Sequence, residues 1–458
     1  MAKIFKKREK EFDDPYTVGA AIKNGNAVTR LSMLFMGLGN LTHKQIVKGL
    51  LYLGIEIAYI LFMVQGGITN LYHLITLGGR PQEEVWNEAK GIYEYTSGDS
   101  TILFLLYGVA TLFLTVAFLV AWCANLKSAY TVECFAKEGK HINSFKDDLK
   151  DLINKRLHWT LLAAPWTGIL IFTILPLVFM ICMAFTSYSK VDDKLTIFNW
   201  VGLKNFGTVL GMGNSIGKTF WSVLGWTLIW AVFATFLNYI LGMLLAIIIN
   251  RKTTRCKGFW RFCFILSAAI PQFVSLLLTR TMLKDNGLIN VLLMNAGLID
   301  SPLPFLTDAT WARVTVIIIN LWVGIPFTMM QVTGILQNIP GELYEAAKVD
   351  GAGSATIFFK ITLPYMLFVT TPYLITTFTG NINNFNVIFL LTGGAPVPVG
   401  STAGKTDLLV TWLYKLTVDQ QYFNVGAVVG ILTFVVLAIV SLVTYHNTGS
   451  YKNEEGFQ

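Results

Sequence analysis

The sequence predicts an all-α protein that crosses a lipid bilayer about eight times. Its 458 residues are 54% hydrophobic and only 14% charged, with a mean hydropathy of +0.56. Soluble domains carry about 25% charged residues, so a membrane protein is indicated. A helix needs about 20 mostly apolar residues to cross a hydrocarbon core roughly 30 Å thick. Eight segments meet that requirement: 46–68, 101–124, 159–186, 219–249, 261–283, 311–336, 361–390 and 422–446.

Lysine and arginine near the ends of these segments predict the orientation of the chain. Residues 1–45 carry eight such cations, residues 125–158 carry seven, and residues 250–260 carry four. The intervening residues 70–100 carry only two. Cytoplasmic loops are enriched in Lys and Arg, so both termini are predicted to be cytoplasmic. The same bias accounts for the net charge of +8 without a nucleic-acid partner.

The segments also divide the chain into regions. They predict a cytoplasmic N-terminal region at 1–45, two accessory membrane helices at 46–124, a cytoplasmic linker at 125–158, a six-helix core at 159–446 and a cytoplasmic tail at 447–458. Ser144 and Asp147 form a capping-box pattern, which predicts a surface helix in the linker. The apolar, glycine-containing stretch 30–39 is expected to rest at the membrane surface. None of the five cysteines forms a CxxC pair, so neither a disulfide framework nor a zinc site is predicted.

The polar segment 338–364, between the sixth and seventh apolar runs, predicts a short surface helix. Pro340 suits the first turn of a helix, where its missing N–H is not needed. Good helix formers follow, and Gly351 can end the helix in the left-handed conformation. A helix of about ten residues is too short to cross a bilayer. A rigid surface helix of this kind suits docking into a groove of a soluble partner.

This segment is similar to the EAA loop of the permease subunits of ABC importers. The match in identity and spacing comprises Glu345-Ala346-Ala347, Asp350-Gly351-Ala352, Phe359, Ile361, Leu363 and Pro364. The resemblance implies the permease core of a type I ABC importer, in which this helix sits in a cleft of a separate ATPase subunit. The residues that it assigns to ATPase coupling are Tyr344, Glu345, Ala346, Ala347, Asp350 and Gly351. The chain itself is then a transporter subunit and not an enzyme.

Residues 211–219, GMGNSIGKT, look like a phosphate-binding loop but do not have its spacing. That loop requires GxxxxGK[ST], and the residue five positions before Gly217 is Met212. The predicted orientation also places the segment outside the cytoplasm, away from ATP. ATP hydrolysis by this chain is therefore not predicted.

The sixth and seventh apolar runs carry polar side chains at membrane depth. The seventh contains four asparagines in the six positions 381–386. An amide without a partner in hydrocarbon costs several kcal/mol, so these side chains cannot all face lipid. Asn381 and Asn384 fall on one helical face with Thr377. Amides beside aromatic rings suit neutral polyols, and the middle of either run lacks a charged residue. Alternatively, these amides join helices through interhelical hydrogen bonds.

These two runs resemble the MalF-type permeases of maltose and maltodextrin importers, and the likeness extends over roughly residues 159–445. The resemblance assigns sugar contact to Gln272, Asn320, Trp322, Gly324, Phe327, Thr377, Gly380, Asn381 and Asn384. It implies an ABC ATPase dimer, a second homologous permease subunit and an extracytoplasmic sugar-binding protein as partners, and no cofactor. Three residues, Ala268, Gln272 and Phe327, depart from the family pattern, which leaves the preferred glucan length open.

Two other functions fit parts of the sequence. The chain could be an ABC permease for another neutral sugar or polyol. A proton-coupled secondary transporter is the second alternative, with the lone carboxylate of Glu56 in the first apolar run as its proton carrier. A structural role for Glu56 is favoured over proton coupling. The loop at 187–217 has no room for an inserted extracytoplasmic domain, so we expect a cell envelope with a single membrane of the Gram-positive type.

Overall fold

The computed structural model describes residues 16–88, 90–190, 197–251 and 253–446, except for the side chain of Ala268. The predicted tail at 447–458 and the basic residues before Tyr16 lie outside the described residues. The chain forms two compact units, one comprising 1–182 and 193–200, the other 183–192 and 201–458. The division into regions predicted above, including a six-helix core at 159–446, stays a prediction.

The first unit consists of helices and one β-hairpin. Its α-helices are Val18–Asn24, Ala27–Leu31, Leu38–Thr42, Ile46–Phe62, Ile68–Thr76, Thr101–Lys137, Phe145–Ile153, Leu157–Ile169 and Leu175–Ala184, the last of which runs to the border of the unit. Single π-helical turns at Met63–Gly67 and Leu170–Ile174 join neighbouring helices. The strands Glu84–Asn87 and Ile92–Tyr95 pair antiparallel, with Trp86 opposite Tyr93.

The described part of the second unit is helical. Its α-helices are Lys204–Leu210, Ser215–Asn250, Lys257–Ala269, Gln272–Met282, Leu288–Asn295, Ala309–Gln337, Gly341–Val349, Ser354–Ile357, Leu363–Ile382, Phe385–Leu391, Leu409–Tyr414 and Phe423–His446. Further π-helical turns lie at Phe358–Thr362 and Lys415–Asp419.

The described residues contain seven helices that are long and apolar enough to span a membrane, and eight spans if a bent pair of helices counts as one, which agrees with the prediction of about eight. Seven are Ile46–Thr76, Thr101–Lys137, Leu157–Ala184, Ser215–Asn250, Ala309–Gln337, Ser354–Leu391 and Phe423–His446. The fifth in chain order is a pair of helices, Lys257–Ser267 and Gln272–Met282, bent by 75°. Pro271 lies at this bend. It accounts for the bend because proline disfavours a helical residue before it and supplies no N–H to the helix. The prediction ended the second span at residue 124, where the apolar run ends. The helix itself continues through more polar residues to Lys137.

A helix is present at Phe145–Ile153, where the capping-box pattern predicts one, while its place on the cytoplasmic surface stays a prediction. The Ser144 hydroxyl accepts a hydrogen bond from the Asp147 backbone N–H, and the Ser144 N–H donates to the Asp147 carboxylate at 3.0 Å. The Ser144 side chain and N–H hold the pKa of Asp147 below its ordinary value. The sequence pattern therefore identified the capping box correctly.

The fourth span, Ser215–Asn250, is the centre of the second unit. Two apolar clusters pack along it, one around Trp226 and Trp230 and the other around Tyr239 and Met243. The sixth span crosses it closely because small residues lie at the crossing. A Cβ atom on Gly242 would lie 2.6 Å from Thr328, and one on Gly324 would lie 2.5 Å from the side chain of Asn238. Small residues allow helices in membranes to approach in this way.

The loop after the seventh span is held by a buried ion pair. Lys415 Nζ lies 2.6 Å from Asp407 Oδ2, and the side chain of Asp407 is fully buried. The same carboxylate accepts hydrogen bonds from the Gly404 N–H at 2.7 Å and from the Thr411 hydroxyl at 2.9 Å. Burying a carboxylate is costly unless it is paired and hydrogen-bonded, and here each requirement is met.

Candidate coupling helix and translocation site

The segment that resembles the EAA loop is a surface helix, Gly341–Val349, and we call it the EAA helix. Its inner side is attached to the seventh span by Tyr344. The Tyr344 hydroxyl lies 3.2 Å from Thr362 Oγ1, and its ring packs in the apolar cluster around Tyr239 and Met243. Thr362 ends the π-helical turn from which the long helix of the seventh span continues. A displacement of the EAA helix would therefore pass directly to that span.

Gly351 ends the EAA helix in the left-handed conformation, as predicted, with φ of +75°. Its N–H donates to the Lys348 carbonyl at 3.0 Å, and the N–H of Ala352 donates to the Ala347 carbonyl at 2.9 Å. These two bonds form a Schellman motif, which satisfies carbonyls that the helix end would otherwise leave unpaired. Because a Cβ at this position would meet no atom within 4 Å, the constraint on residue 351 is its backbone conformation alone.

The outer side of the EAA helix is exposed. Glu345, Ala346, Asp350 and Gly351 are exposed, and Ala347 is half-buried. Val349 is 88% exposed. A rigid helix that presents small and apolar side chains to the aqueous phase has the surface expected for docking in a groove.

Three of the predicted sugar-contact residues line one cavity. It has a volume of about 320 Å³ and lies at the bend of the fifth span. Gln272 comes from the fifth span, while Trp322 and Phe327 come from the sixth. Among the described residues that line it, every side chain is uncharged. An amide beside two aromatic rings can hydrogen-bond the hydroxyls of a sugar ring and stack on its C–H face.

Asn381 and Asn384 occur where the helix of the seventh span breaks. The helix Leu363–Ile382 ends there, and Asn384 is the N-cap of Phe385–Leu391, with Oδ1 accepting from the Val387 N–H at 3.3 Å. The expectation that Asn384 continues one helical face with Thr377 and Asn381 is therefore wrong. Asparagine is a preferred N-cap residue, and its side chain here satisfies a backbone N–H that begins a new helix. The two amides still meet, at 3.4 Å between Asn384 Nδ2 and Asn381 Oδ1.

Asn381 also joins the seventh span to the fourth. Its Nδ2 donates to Thr235 Oγ1 at 3.0 Å, and its backbone carbonyl accepts from Trp230 Nε1 at 3.0 Å. The side chain is 9% exposed. These contacts are those of the interhelical hydrogen-bonding alternative stated above, which is worth about 1 kcal/mol per bond in membranes.

The other predicted contact residues have different surroundings. Asn320 is buried at 5% exposure, Thr377 is half-buried and Gly380 is exposed. Gly324 faces the Asn238 side chain, where a Cβ has no room, so its small size is explained by helix packing. The roles of these residues in sugar contact stay predictions.

Sequence reasoning missed three polar residues of the fourth span. Trp230 and Thr235 hold the break of the seventh span, and the buried Asn238 lies against Gly324 with its Oδ1 unpaired among the described residues. These residues are spread through a long apolar helix, in which single polar residues give no periodic signal. The signal that was available is the need of the asparagine-rich segment for partners in a neighbouring span.

Comparisons with known proteins identify the family. Residues 238–447 match the model of the binding-protein-dependent transport system inner membrane component. The galactooligosaccharide transport system permease protein GanP of Bacillus subtilis is 34% identical over 432 residues, or 93% of this chain and 99% of its own length. The chain belongs to this family. The permease is thus a multi-pass membrane component of an ABC importer that depends on a binding protein, and it is not an enzyme.

Two further relatives agree with this assignment. The maltodextrin transport system permease protein MdxF of Bacillus subtilis is 33% identical over 435 residues, covering 93% of this permease and 96% of its own length. A solved bacterial alginate ABC transporter, in complex with a periplasmic protein that carries an alginate pentasaccharide, contains a chain that is 25% identical. That chain superposes with a TM-score of 0.53, over 65% of this permease and 95% of its own length.

The first testable prediction concerns the cavity at the bend of the fifth span. Replacing Trp322, which is 64% exposed, with alanine removes the largest ring of the cavity. We expect the half-saturating sugar concentration for uptake to rise several-fold, because a stacking surface for the sugar is lost. Trp311→Ala in the same span is the matched control, since Trp311 is also exposed but packs on Phe305. Equal effects of the two substitutions would contradict the placement of the site.

The second prediction concerns the end of the EAA helix. Gly351→Val forces a β-branched residue into a left-handed conformation that costs about 1–2 kcal/mol for a residue with a side chain. We expect the purified transporter to assemble and hydrolyse ATP, while sugar uptake per ATP falls. The matched control is Gly353→Val, because Gly353 has a φ of −72° and open space around it. Normal coupling in the Gly351 variant would contradict the role given to this helix.

Proposed function

We propose that the permease moves neutral oligosaccharides of the maltodextrin type into the cytoplasm. The observation that carries this proposal is the cavity of Gln272, Trp322 and Phe327, where an amide and two aromatic rings meet without a charged neighbour among the described lining residues. A charged substrate would need side chains of opposite charge in this cavity, because an unpaired charge is costly at membrane depth. The maltodextrin assignment of MdxF agrees with a neutral glucan as the substrate.

Transport is driven by an ABC ATPase dimer that holds the exposed side of the EAA helix. ATP-dependent closure of the ATPases moves this helix, and the hydrogen bond and packing of Tyr344 pass the movement to the seventh span. The bundle then changes between inward-facing and outward-facing states, as expected of a structure with two alternative packings. An extracytoplasmic sugar-binding protein delivers the oligosaccharide to the outward-facing state.

A second, homologous permease subunit completes the translocation path. Trp322 is 64% exposed and Phe327 is 56% exposed, so the cavity opens towards the outside of this chain. A polar sugar path that faced acyl chains would leave the sugar hydroxyls without hydrogen-bonding partners. A matching subunit over this face encloses the path, and it accounts for the exposure of two aromatic rings at the site.

Both termini are cytoplasmic in the proposed topology, and the cell envelope has a single membrane of the Gram-positive type. Lys and Arg are concentrated in the loops assigned to the cytoplasm. The EAA helix lies on the same side as those loops, where ATP is available. The relatives from Bacillus subtilis match nearly their whole lengths, which agrees with a permease that has no large inserted extracytoplasmic domain.

GanP and MdxF are 34% and 33% identical to this chain, so sequence identity favours neither a galactooligosaccharide nor a maltodextrin as the substrate. The third prediction therefore concerns substrate choice. The complete transporter, in lipid nanodiscs with its binding protein, is given maltotriose, maltotetraose, a galactooligosaccharide or an alginate oligomer. We expect maltodextrins to stimulate ATP hydrolysis several-fold and the anionic alginate oligomer to have no effect.

Each other outcome of this experiment has a defined meaning. Stimulation by the galactooligosaccharide alone would contradict the maltodextrin assignment and leave the neutral-sugar mechanism in place. Stimulation by alginate would contradict the neutral site. Uptake by the permease without an ATPase, abolished by an uncoupler, would contradict ATP-driven import and favour the proton-coupled alternative.

A further inference from the structure

The stretch that precedes the first span is folded against the first two spans. Within the first unit, the short helices Ala27–Leu31 and Leu38–Thr42 are joined by a turn at residues 32–37. Each of these helices has five residues and is too short to cross a bilayer, and the first span follows at Ile46. We call residues 27–45 the pre-span segment.

Two buried polar side chains from the spans hold the turn of the pre-span segment. Glu56 Oε2 accepts a hydrogen bond from the Met36 N–H at 2.8 Å. Asn125 Oδ1 accepts from the Gly37 N–H at 2.8 Å, and its Nδ2 donates to the Ser32 carbonyl at 2.9 Å. Glu56 is 9% exposed and Asn125 is fully buried. Backbone groups in a turn lack the internal bonds of a helix, so these side chains supply the partners that hydrocarbon cannot.

A third buried side chain fixes the beginning of the segment. The Glu133 carboxylate, 1% exposed, accepts from the Asn26 N–H at 3.0 Å and from the Thr29 hydroxyl at 2.6 Å. Asn26 is the N-cap residue of the helix that follows it. The second span thus holds both the start of the pre-span segment, through Glu133, and its turn, through Asn125.

The depth of the turn follows from its contact with the first span. Gly37 has a φ of +86°, and a Cβ on it would lie 2.1 Å from the Gly49 carbonyl oxygen. Gly49 is three residues beyond the start of the span at Ile46, or about 5 Å at 1.5 Å per residue. Helical side chains lean towards the N-terminus of their helix, so Glu56 reaches back towards the turn from a deeper position. The turn therefore lies beside the first turns of the span, at the end where the span would enter the acyl chains.

The surface of the turn that faces away from the spans is apolar. Leu34 is 70% exposed and Phe35 is 58% exposed, whereas the next residue, Met36, is fully buried. Arg30 and Lys44, at either side of the turn in sequence, are exposed. Residues 16–48 contain Lys and Arg but no Asp or Glu. Apolar side chains beside basic ones are the pattern of a segment that lies in the plane of an anionic membrane surface.

We propose that the pre-span segment is an in-plane membrane anchor, with Leu34 and Phe35 inserted among the acyl chains of the leaflet at which the first span begins. Glu56 acts as a hydrogen-bond acceptor that fixes the turn at this depth, and its role is structural and not proton coupling. The anchor gives the two accessory spans a structural task, which is to hold the segment in the membrane. By the topology given under the proposed function, that leaflet is the cytoplasmic one, and no other part of the anchor depends on that topology.

The fourth prediction tests the depth of the turn. The complete transporter, with the five cysteines of this permease and any in its partner subunits replaced by serine, carries one nitroxide label at Phe35→Cys and is reconstituted in vesicles containing anionic phosphatidylglycerol. Labels at Val64→Cys, an exposed position within the first span, and at Lys146→Cys, exposed on the surface helix, are the controls. We expect the ratio of oxygen to water-soluble nickel accessibility at residue 35 to match residue 64 and to exceed residue 146 several-fold.

Two other results would overturn the anchor. Nickel accessibility as high as at residue 146 would mean that the turn faces water. Exclusion of both reagents would mean that protein, and not lipid, covers the turn. Sugar-stimulated ATP hydrolysis, measured on the same samples, reports on the proposed function separately. Reaction of Lys146→Cys with a membrane-impermeant thiol reagent, compared in intact and opened cells, reports on the leaflet.

A pair of substitutions at Glu56 separates its structural role from proton transfer. Glu56→Gln keeps an oxygen that can accept from the Met36 N–H, whereas Glu56→Leu leaves that donor without its partner. We expect the Gln variant to keep both the label accessibility at residue 35 and sugar uptake, and the Leu variant to raise nickel accessibility there. Loss of uptake in the Gln variant with unchanged accessibility would contradict the role assigned to Glu56.

Discussion

The second unit depends on the hydrogen bonds between the fourth span and the break in the seventh. A helix that breaks inside a bilayer exposes backbone groups that lipid cannot satisfy. Here Asn384 caps the new helix, and the Asn381 side chain and carbonyl bond to Thr235 and Trp230. The fourth span therefore stabilises the break, because it lies beside the break and presents polar groups at the same height.

The same arrangement connects the two ends of the proposed mechanism. The EAA helix is attached through Tyr344 and Thr362 to the beginning of the seventh span, and that span ends at the asparagine break. Tyr239 of the fourth span also meets Thr370 of the seventh, with 2.7 Å between their hydroxyl oxygens. In the proposed mechanism, a movement that starts at the EAA helix would reach the fourth span through these short polar contacts. Such contacts can exchange partners between two states without leaving a buried group unpaired for long.

Much of this fold follows from the sequence. The seven span-length helices and the bent pair follow from the lengths of the apolar runs, and the end of the EAA helix at Gly351 follows from the conformational freedom of glycine. Both are local properties, which need no knowledge of neighbouring helices. The break at Asn384 was not predicted, because helical spacing alone placed that residue on a continuous face. The sequence alone does not distinguish an asparagine that caps a helix from one that lies along its face.

The candidate site shows the same limit. Gln272, Trp322 and Phe327 were named from a resemblance, and the structure brings them together at one cavity. Gly324 was named in the same way, yet its surroundings explain its size by packing on Asn238. The partner of Glu56 was also beyond the sequence, since the N–H of Met36 belongs to a turn with no periodic pattern. Distances between elements decide these cases, and a single sequence does not contain them.

In the proposed mechanism, this permease takes its energy from a separate ATPase and shares its sugar path with a second permease. The most direct measurement is to purify the tagged chain from native membranes in mild detergent and to identify the proteins that remain bound. We expect an ABC ATPase and a homologous permease subunit in stoichiometric amounts. A chain that elutes alone, and that transports sugar when reconstituted alone in vesicles, would contradict this mechanism.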